Sequence, residues 1–422
     1  MNTNNSTADI FQQGYSKSLD LLRACSTPHG FFASAQSIHN YQRVWSRDSI
    51  IMGLAALLSG DPELVQTFRN SLITLANNQG PHGEIPSNVD PYTGRVSYGG
   101  MAGRVDADLL FVIGCGEYWK ETGDDGFIDR MFPVIEKVIF LLGCWEFNNR
   151  GLLYVPQTGD WADEYLQHGY VLYDQVLYLQ VKKTLRRIYE YIYQSEDHSL
   201  LDSINRLKHL IQANYWIEED HRIPDEVYHE ILYKKGMRAA CECEDRYWMS
   251  YFSPHGYGYR FDSLANVLVS LLRVSDQERR EQVDQYIENV IGDKHCKLLP
   301  AFYPVITPVD ESDWQHLRMT FSYSFKNKPH EYHNGGLWPM ISGFYVADLC
   351  RRNKTQQATR YLQGIHEANA SEMDGVPWSF PEFLHGQTYQ AGGTKWQGWS
   401  AAAALIGHHA LEGKPVFRID EQ

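Results

Sequence analysis

Two hydrophobic patterns alternate along the chain. Ile50-Ile51-Met52-Gly53-Leu54-Ala55-Ala56-Leu57-Leu58 is apolar nearly all round, as a helix enclosed on every side would be. Just beyond it, Leu64, Phe68, Leu72 and Leu75 recur at helical spacing on one face only, which suits a helix with one side in water. The punctuation between them is explicit: Gly60 ends one helix, Asp61 caps the next, and Pro62 opens it with Glu63 in its first turn. Thr122-Gly123-Asp124-Asp125 separates a second pair in the same way.

Read throughout, the pattern predicts about twelve helices, near residues 9–24, 46–59, 62–78, 105–121, 126–148, 169–194, 198–215, 260–273, 276–291, 335–351, 355–369 and 396–411. Twelve helices alternating between inner and outer give six hairpins closed into a ring. The expected fold is therefore all-α, an (α/α)6 barrel, formed as one domain over residues 1–422 with residues 1–8 disordered. Long non-helical stretches at 25–45, 79–104, 149–168, 216–259, 292–334 and 370–395 recur after every second helix. They should gather on one face of the ring and carry its chemistry.

Composition changes this picture modestly. Hydrophobic residues make up 43% of the 422 positions, enough for a large core, and aromatics reach 13%, with 11 Trp and 27 Tyr. Indole and phenol faces stack on the C–H faces of sugar rings, although large helical cores also use aromatics. A formal net charge of −14 repels nucleic-acid phosphates and anionic lipid surfaces, so a small neutral partner fits better. No apolar run approaches the roughly 20 residues that span a bilayer. Met1-Asn2-Thr3-Asn4-Asn5-Ser6-Thr7 lacks the basic-then-apolar order of a secretory signal. The seven cysteines are an odd, scattered set that suits reduced thiols, and a cytoplasmic location is expected. Cys241-Glu242-Cys243 is the one close pair, and without matching partners it does not define a zinc site. Neither metal nor cofactor is expected, and homo-oligomerisation stays open.

The candidate chemistry sits in the loops. Thr158-Gly159-Asp160-Trp161-Ala162-Asp163-Glu164 places three carboxylates and an indole just before a helix. Desolvation and like charge raise a carboxyl pKa, as a general acid requires, whereas simple helix capping is the plainer reading. Pro377-Trp378-Ser379-Phe380-Pro381-Glu382-Phe383 offers one carboxylate on a stiff aromatic loop, suited to holding a single water. Trp45-Ser46-Arg47-Asp48 could fork onto vicinal hydroxyls. Gly103-Arg104-Val105-Asp106-Ala107-Asp108 and Glu331-Tyr332-His333-Asn334-Gly335-Gly336-Leu337-Trp338-Pro339 also sit at helix starts. Tyr251-Phe252-Ser253-Pro254 with Arg260-Phe261-Asp262 is less specific. No phosphate-binding glycine loop, dinucleotide fingerprint or metalloprotease motif is present.

Taken in order, these segments resemble the alkaline/neutral invertase family of glycoside hydrolases. Tyr332-His333-Asn334-Gly335-Gly336-Leu337-Trp338-Pro339 is the most specific match, and Pro381-Glu382-Phe383 followed by Lys395-Trp396-Gln397-Gly398-Trp399-Ser400 resembles the block that carries the family's base. The resemblance implies an (α/α)6 barrel, inversion, no metal and sucrose as substrate. It implies Asp163 as general acid and Glu382 as general base, with Asp160 as the reserve acid. Trp45, Arg47, Asp48, Asp106, Asp160, Trp161, Glu164, Arg260, His333, Asn334, Trp338 and Trp396 become the expected sugar-binding residues. One departure stands out: the family carries arginines after the acid, where this chain has Glu164-Tyr165. That leaves other α-glucosidic linkages open, of the amylo-1,6-glucosidase, trehalase or glucosyl/mannosylglycerate hydrolase type. A sugar epimerase or a non-catalytic sugar-binding toroid also stays open.

Overall fold

The computed structural model describes residues 3–38, 40–217, 223, 225–240, 246–291, 294–320 and 323–419. Its helices are α1 (Thr3–Cys25), α2 (Ser46–Ser59), α3 (Pro62–Asn77), α4 (Val105–Thr122), α5 (Asp125–Trp145), α6 (Leu172–Tyr193), α7 (His198–Tyr215), α8 (Glu230–Ala240), α9 (Ser263–Leu271), α10 (Gln277–Ile291), α11 (Glu311–Arg318), α12 (Pro339–Arg351), α13 (Thr355–Ala370) and α14 (Gly398–Leu411). All but α8 and α11 correspond to the expected twelve. Those two fall in the stretches read as non-helical. α11 is short and buries only Leu317, too little apolar surface for a periodic signal. α1 begins at Thr3. Cys241, Glu242 and Cys243 lie outside the described residues.

The inner wall closes on itself: α2 packs on α4, α4 on α6, α6 on α9, α9 on α12, α12 on α14, and α14 on α2. These helices are buried on nearly every side, α2 from Ser46 to Leu58 without a break. Each leucine-sized side chain taken out of water there contributes about 1.5–3 kcal/mol. Small residues let the wall close: a Cβ at Gly343 of α12 would sit 2.7 Å from the Ala403 Cα of α14. The one-sided helices form the outer layer, α3 on α2, α5 on α4, α7 on α6, and α13 and α1 on α14. α10 joins through Asp284, which accepts from Tyr345 and Arg352, and Glu288, which accepts from Gln357 and Tyr361. This is the expected (α/α)6 ring.

Long loops at 26–45, 78–104, 146–171, 216–262, 292–338 and 371–397 each lead into the N-terminus of an inner helix, so they share one face. Neighbouring loops are stitched by short antiparallel pairs: Trp45 with Asn88, Tyr170 with Phe252, Phe302 with Asp262, Leu337 with Leu384, and Ser34 with Gln397. Val105 N–H donates to Gly159 O at 2.7 Å and links the second loop to the third. A girdle of backbone hydrogen bonds thus runs round the mouth of the ring. Among the described residues no helix is long and apolar enough to cross a membrane.

Candidate active site

The first turns of α2 and α4 bring Arg47 and Asp106 together. Arg47 Nε donates to Asp106 Oδ2 at 2.6 Å, and Nη2 donates to the Asp160 carbonyl at 3.2 Å. Asp160, Asp174 and Asp262 complete a buried acidic layer around this single guanidinium. Burial, with the mutual repulsion of Asp106, Asp160, Asp174 and Asp262, holds the Asp160 and Asp174 carboxyls well above the ordinary range. Asp106 Oδ1, Asp160 Oδ2 and both Asp174 oxygens find no hydrogen-bond partner among the described residues. Burial raises Asp262 to about 6, although it accepts from the Ala265 N–H and from Gln167.

Glu382 comes from the last loop. It is 5% exposed. The Tyr41 hydroxyl donates to its Oε1 and Oε2 at 3.4 and 3.5 Å, and the Thr394 N–H donates to Oε2 at 3.2 Å. The chain doubles back so tightly there that a Cβ on Gly393, at φ +76°, would lie 2.4 Å from Glu382 Oε2. Only glycine fits, and the carboxylate is locked in place. Burial pushes Glu382 up to about 7, with Asp163 acting in the same direction and Lys326 opposing. Beside it, burial raises Asp48 to about 7 despite Arg47, while Gln397 Nε2 donates to Asp48 Oδ1 at 3.1 Å.

Asp163 approaches from the third loop and keeps 24% of its side chain exposed. Arg104 Nη2 lies 3.0 Å from its Oδ2, and Arg104 Nη1 is anchored on the carbonyls of Thr158 and Gly103 at 2.7 and 2.8 Å. Glu164 is 9% exposed and takes Lys326 Nζ at 3.1 Å. Asp163, Glu164, Glu382 and Tyr41 all act electrostatically on the buried Tyr332 phenol, and Asp163, Glu164 and Glu382 act together on the Lys326 ammonium. Two carboxylates remote in sequence therefore lie near enough to act on one ammonium and one phenol at the loop end of the ring.

Aromatics pack beside these groups, beginning with Tyr332. The His333 ring lies 18° from parallel with Trp338 at 5.5 Å, Tyr332 covers His333 at 4.1 Å, and Trp161 stands edge-on to both His333 and Trp338. Burial holds His333 well below the usual imidazole range, with Lys326 and Arg47 adding to the effect, so the ring is neutral. His333 Nδ1, Trp161 Nε1, Glu164 Oε2 and Gln397 Oε1 lack partners among the described residues, a mixed donor and acceptor set of the kind hydroxyls satisfy.

Other expected residues sit differently. Asn334 is buried with its amide spent, Oδ1 accepting from Ile306 N–H and Nδ2 donating to the carbonyls of Ile306 and Asn327. It pins the loop. Trp338 is fully buried, with its indole N–H on the Tyr332 carbonyl, and supports His333 from beneath. Arg260 pairs with Asp313 on the seam between the fourth and fifth loops. Trp45 and Trp396 are half-buried on the first and last loops. Sequence reading gave no role to Tyr41, Arg104, Lys326 or Gln397. Arg104 and Gln397 stand inside the segments Gly103–Asp108 and Lys395–Ser400, but Lys326, a loop lysine two residues from Lys328, carries no sequence signal. Among the described residues, no group of three or more His, Cys, Asp or Glu side chains could hold a metal ion.

Comparison with known proteins agrees with this architecture. Residues 20–414 match the family described as alkaline and neutral invertase, and the chain belongs to that family. It is a glycoside hydrolase on an (α/α)6 ring. Cytosolic invertase 1 of Oryza sativa subsp. japonica is 21% identical, with 90% of this chain and 74% of that protein covered. Probable alkaline/neutral invertase D of Arabidopsis thaliana is 22% identical, covering 90% and 77%. Among solved structures, the mannosylglycerate hydrolase of Thermus thermophilus bound to Tris and D-glycerate superimposes with a TM-score of 0.66 at 15% identity, over 93% of this chain and 99% of that one. A bacterial glucoamylase bound to acarbose gives a TM-score of 0.67 at 15% identity, over 96% and 57%.

Proposed function

We propose that this chain hydrolyses a small neutral α-glucoside with inversion, sucrose being the first candidate, with Asp163 as general acid and Glu382 as general base. The reading is supported by the shared neighbours of these two carboxylates, from the third and last loops, which both act on the Lys326 ammonium and the Tyr332 phenol. Inversion needs about 6.5–9.5 Å between the carboxyls, so that water fits on the side opposite the leaving group. Protonated Asp163 donates to the glycosidic oxygen, and Arg104 stabilises the carboxylate this leaves, an interaction that strengthens along the reaction. Glu382, ionised above about pH 7 and clamped by Tyr41 and Thr394, takes a proton from the attacking water. Sucrose is supported by the names of the invertase relatives, and a cytoplasmic location by the rice cytosolic relative.

One observation favours an exchange of roles: Glu382 is the buried, raised carboxyl, and Asp163 is paired with arginine. Leaving-group chemistry separates the two readings. With α-glucosyl fluoride, which needs no proton on its leaving group, the variant lacking the acid retains turnover and the variant lacking the base does not. The primary test is NMR of the first-formed glucose from sucrose, trehalose, maltose and isomaltose. β-Glucose appearing first supports the proposal, α-glucose first overturns inversion, and no glucose released from any substrate overturns hydrolysis.

A further inference from the structure

Glu164 and Lys326 lie against the acid yet take no part in the proton transfers. Glu164 is peptide-bonded to Asp163, and the fifth loop fixes its backbone: Thr320 Oγ1 donates to its carbonyl at 2.8 Å, and Asn327 Nδ2 donates to the same oxygen. Asn327 is held in turn by Asn334. The carboxylate therefore stands on a rigid frame, with Oε1 on Lys326 Nζ and Oε2 without a protein partner. Lys326 keeps 44% of its side chain exposed at the mouth, with its ammonium 4.9 Å from the Tyr332 ring centre.

The general acid marks the leaving-group side of the scissile bond, so this pair borders the place the leaving group occupies. We propose that Glu164 and Lys326 select neutral polyhydroxylated leaving groups and reject anionic ones, an inference that rests on the hydrolase reading above. A carboxylate accepts hydroxyl protons and an ammonium donates to hydroxyl oxygens, so the pair matches adjacent hydroxyls of a sugar or polyol. Charge sets the exclusion. With Asp163 protonated and Glu382 ionised, as the reaction requires, two cations, Arg104 and Lys326, face two anions, Glu164 and Glu382, and Lys326 is paired directly with Glu164. A leaving group bearing a carboxylate or phosphate therefore meets no net positive charge in this set, and the ammonium nearest to it is already engaged. Without the Glu164 charge, Lys326 becomes available to pair with it.

The test compares kcat/KM for sucrose and for glucosylglycerate, which carry the same glucosyl unit on a neutral and an anionic leaving group. Wild-type protein should favour sucrose. Glu164→Gln should move the ratio toward glucosylglycerate by roughly 10- to 100-fold, the scale of one charged contact, and Lys326→Gln should move it the opposite way by about tenfold. Rates on both substrates falling together in Glu164→Gln, with the ratio unchanged, would mean the pair only frames the loop and would overturn the inference. So would a wild-type preference for glucosylglycerate. Wild-type turnover of α-glucosyl fluoride reports on hydrolysis separately: if it persists while the ratios stay fixed, only the specificity claim falls. Absence of turnover on all three substrates overturns both.

Discussion

The two ends of the ring are built on opposite principles. At the turn end the outer helices begin with local caps: Asp61, Asp124 and Asp197 each accept backbone N–H groups of the helix they start. Gly60 and Gly123 close the preceding inner helices in the left-handed conformation, both at φ 67°. At the loop end, five of the six inner helices, α2, α4, α6, α12 and α14, begin at Trp45, Arg104, Val171, Trp338 and Gln397, none of which makes a side-chain cap, and only α9 has one, from Asp262. Tertiary strand pairs hold those entries instead. Electrostatics divide the same way. Asp61 is pushed up by burial but lies below its ordinary value, because the Arg23 hydrogen bond and the N–H groups of Leu64 and Glu63 outweigh that. Asp48 and Glu382 are raised to about 7 because burial wins. One end optimises local stability, and the other holds costly buried acids where a reaction could use them.

The strongest way to break that division is to remove a loop-end carboxyl. Asp163→Asn and Glu382→Gln should each lower kcat by about 10²–10⁴-fold while circular dichroism and melting stay native-like. Near-wild-type turnover in either variant would separate that residue from the chemistry.

The pH response comes next. Activity should fall about tenfold per unit below pH 7, as Glu382 becomes protonated. Stability should run the other way. Asp48 and Glu382 have folded pKa values above their unfolded ones, so their contribution is complete below about pH 4 and is lost as pH rises through about 7. His366 and His408 have folded values lowered to about 3 and about 4, chiefly by burial, and act with the opposite sign, but their effect is complete by about pH 6.5. The melting temperature should therefore decline between pH 6.5 and 8.5, less steeply in Glu382→Gln. A flat or rising curve would contradict the buried-acid description of the loop end.

The smallest effect belongs to the turn end. Asp61→Ala should cost about 1 kcal/mol by chemical denaturation, with kcat and KM unchanged. A kinetic change there would mean the two ends are coupled.

The same contrast governed what could be read in advance. Helices α3, α7 and α13 begin where expected, at 62, 198 and 355, and α3 and α7 carry their aspartate signals locally; at the loop end α2 and α4 also begin where expected, at 46 and 105, but the other four do not. The starts of α6, α9, α12 and α14 fall at 172, 263, 339 and 398, two to four residues later than expected. There the boundary is set by strand partners such as Phe252 for Tyr170 and Leu384 for Leu337, which no local pattern encodes. Asp163 and Glu382 stood out as loop carboxylates among aromatics. Lys326 did not, because its significance lies in groups it meets only after folding.

Periodicity and punctuation in the chain were enough to specify alternating buried and half-exposed helices, hence the ring, because burial on one face or all faces is written directly into residue order. Which loop groups would meet was settled by closure of that ring. Closure spent the Asn334 amide on the backbone, put Trp338 beneath His333 and placed an ammonium beside the acid. Such pairings depend on distances between loops far apart along the chain, and those distances exist only once the inner wall has formed.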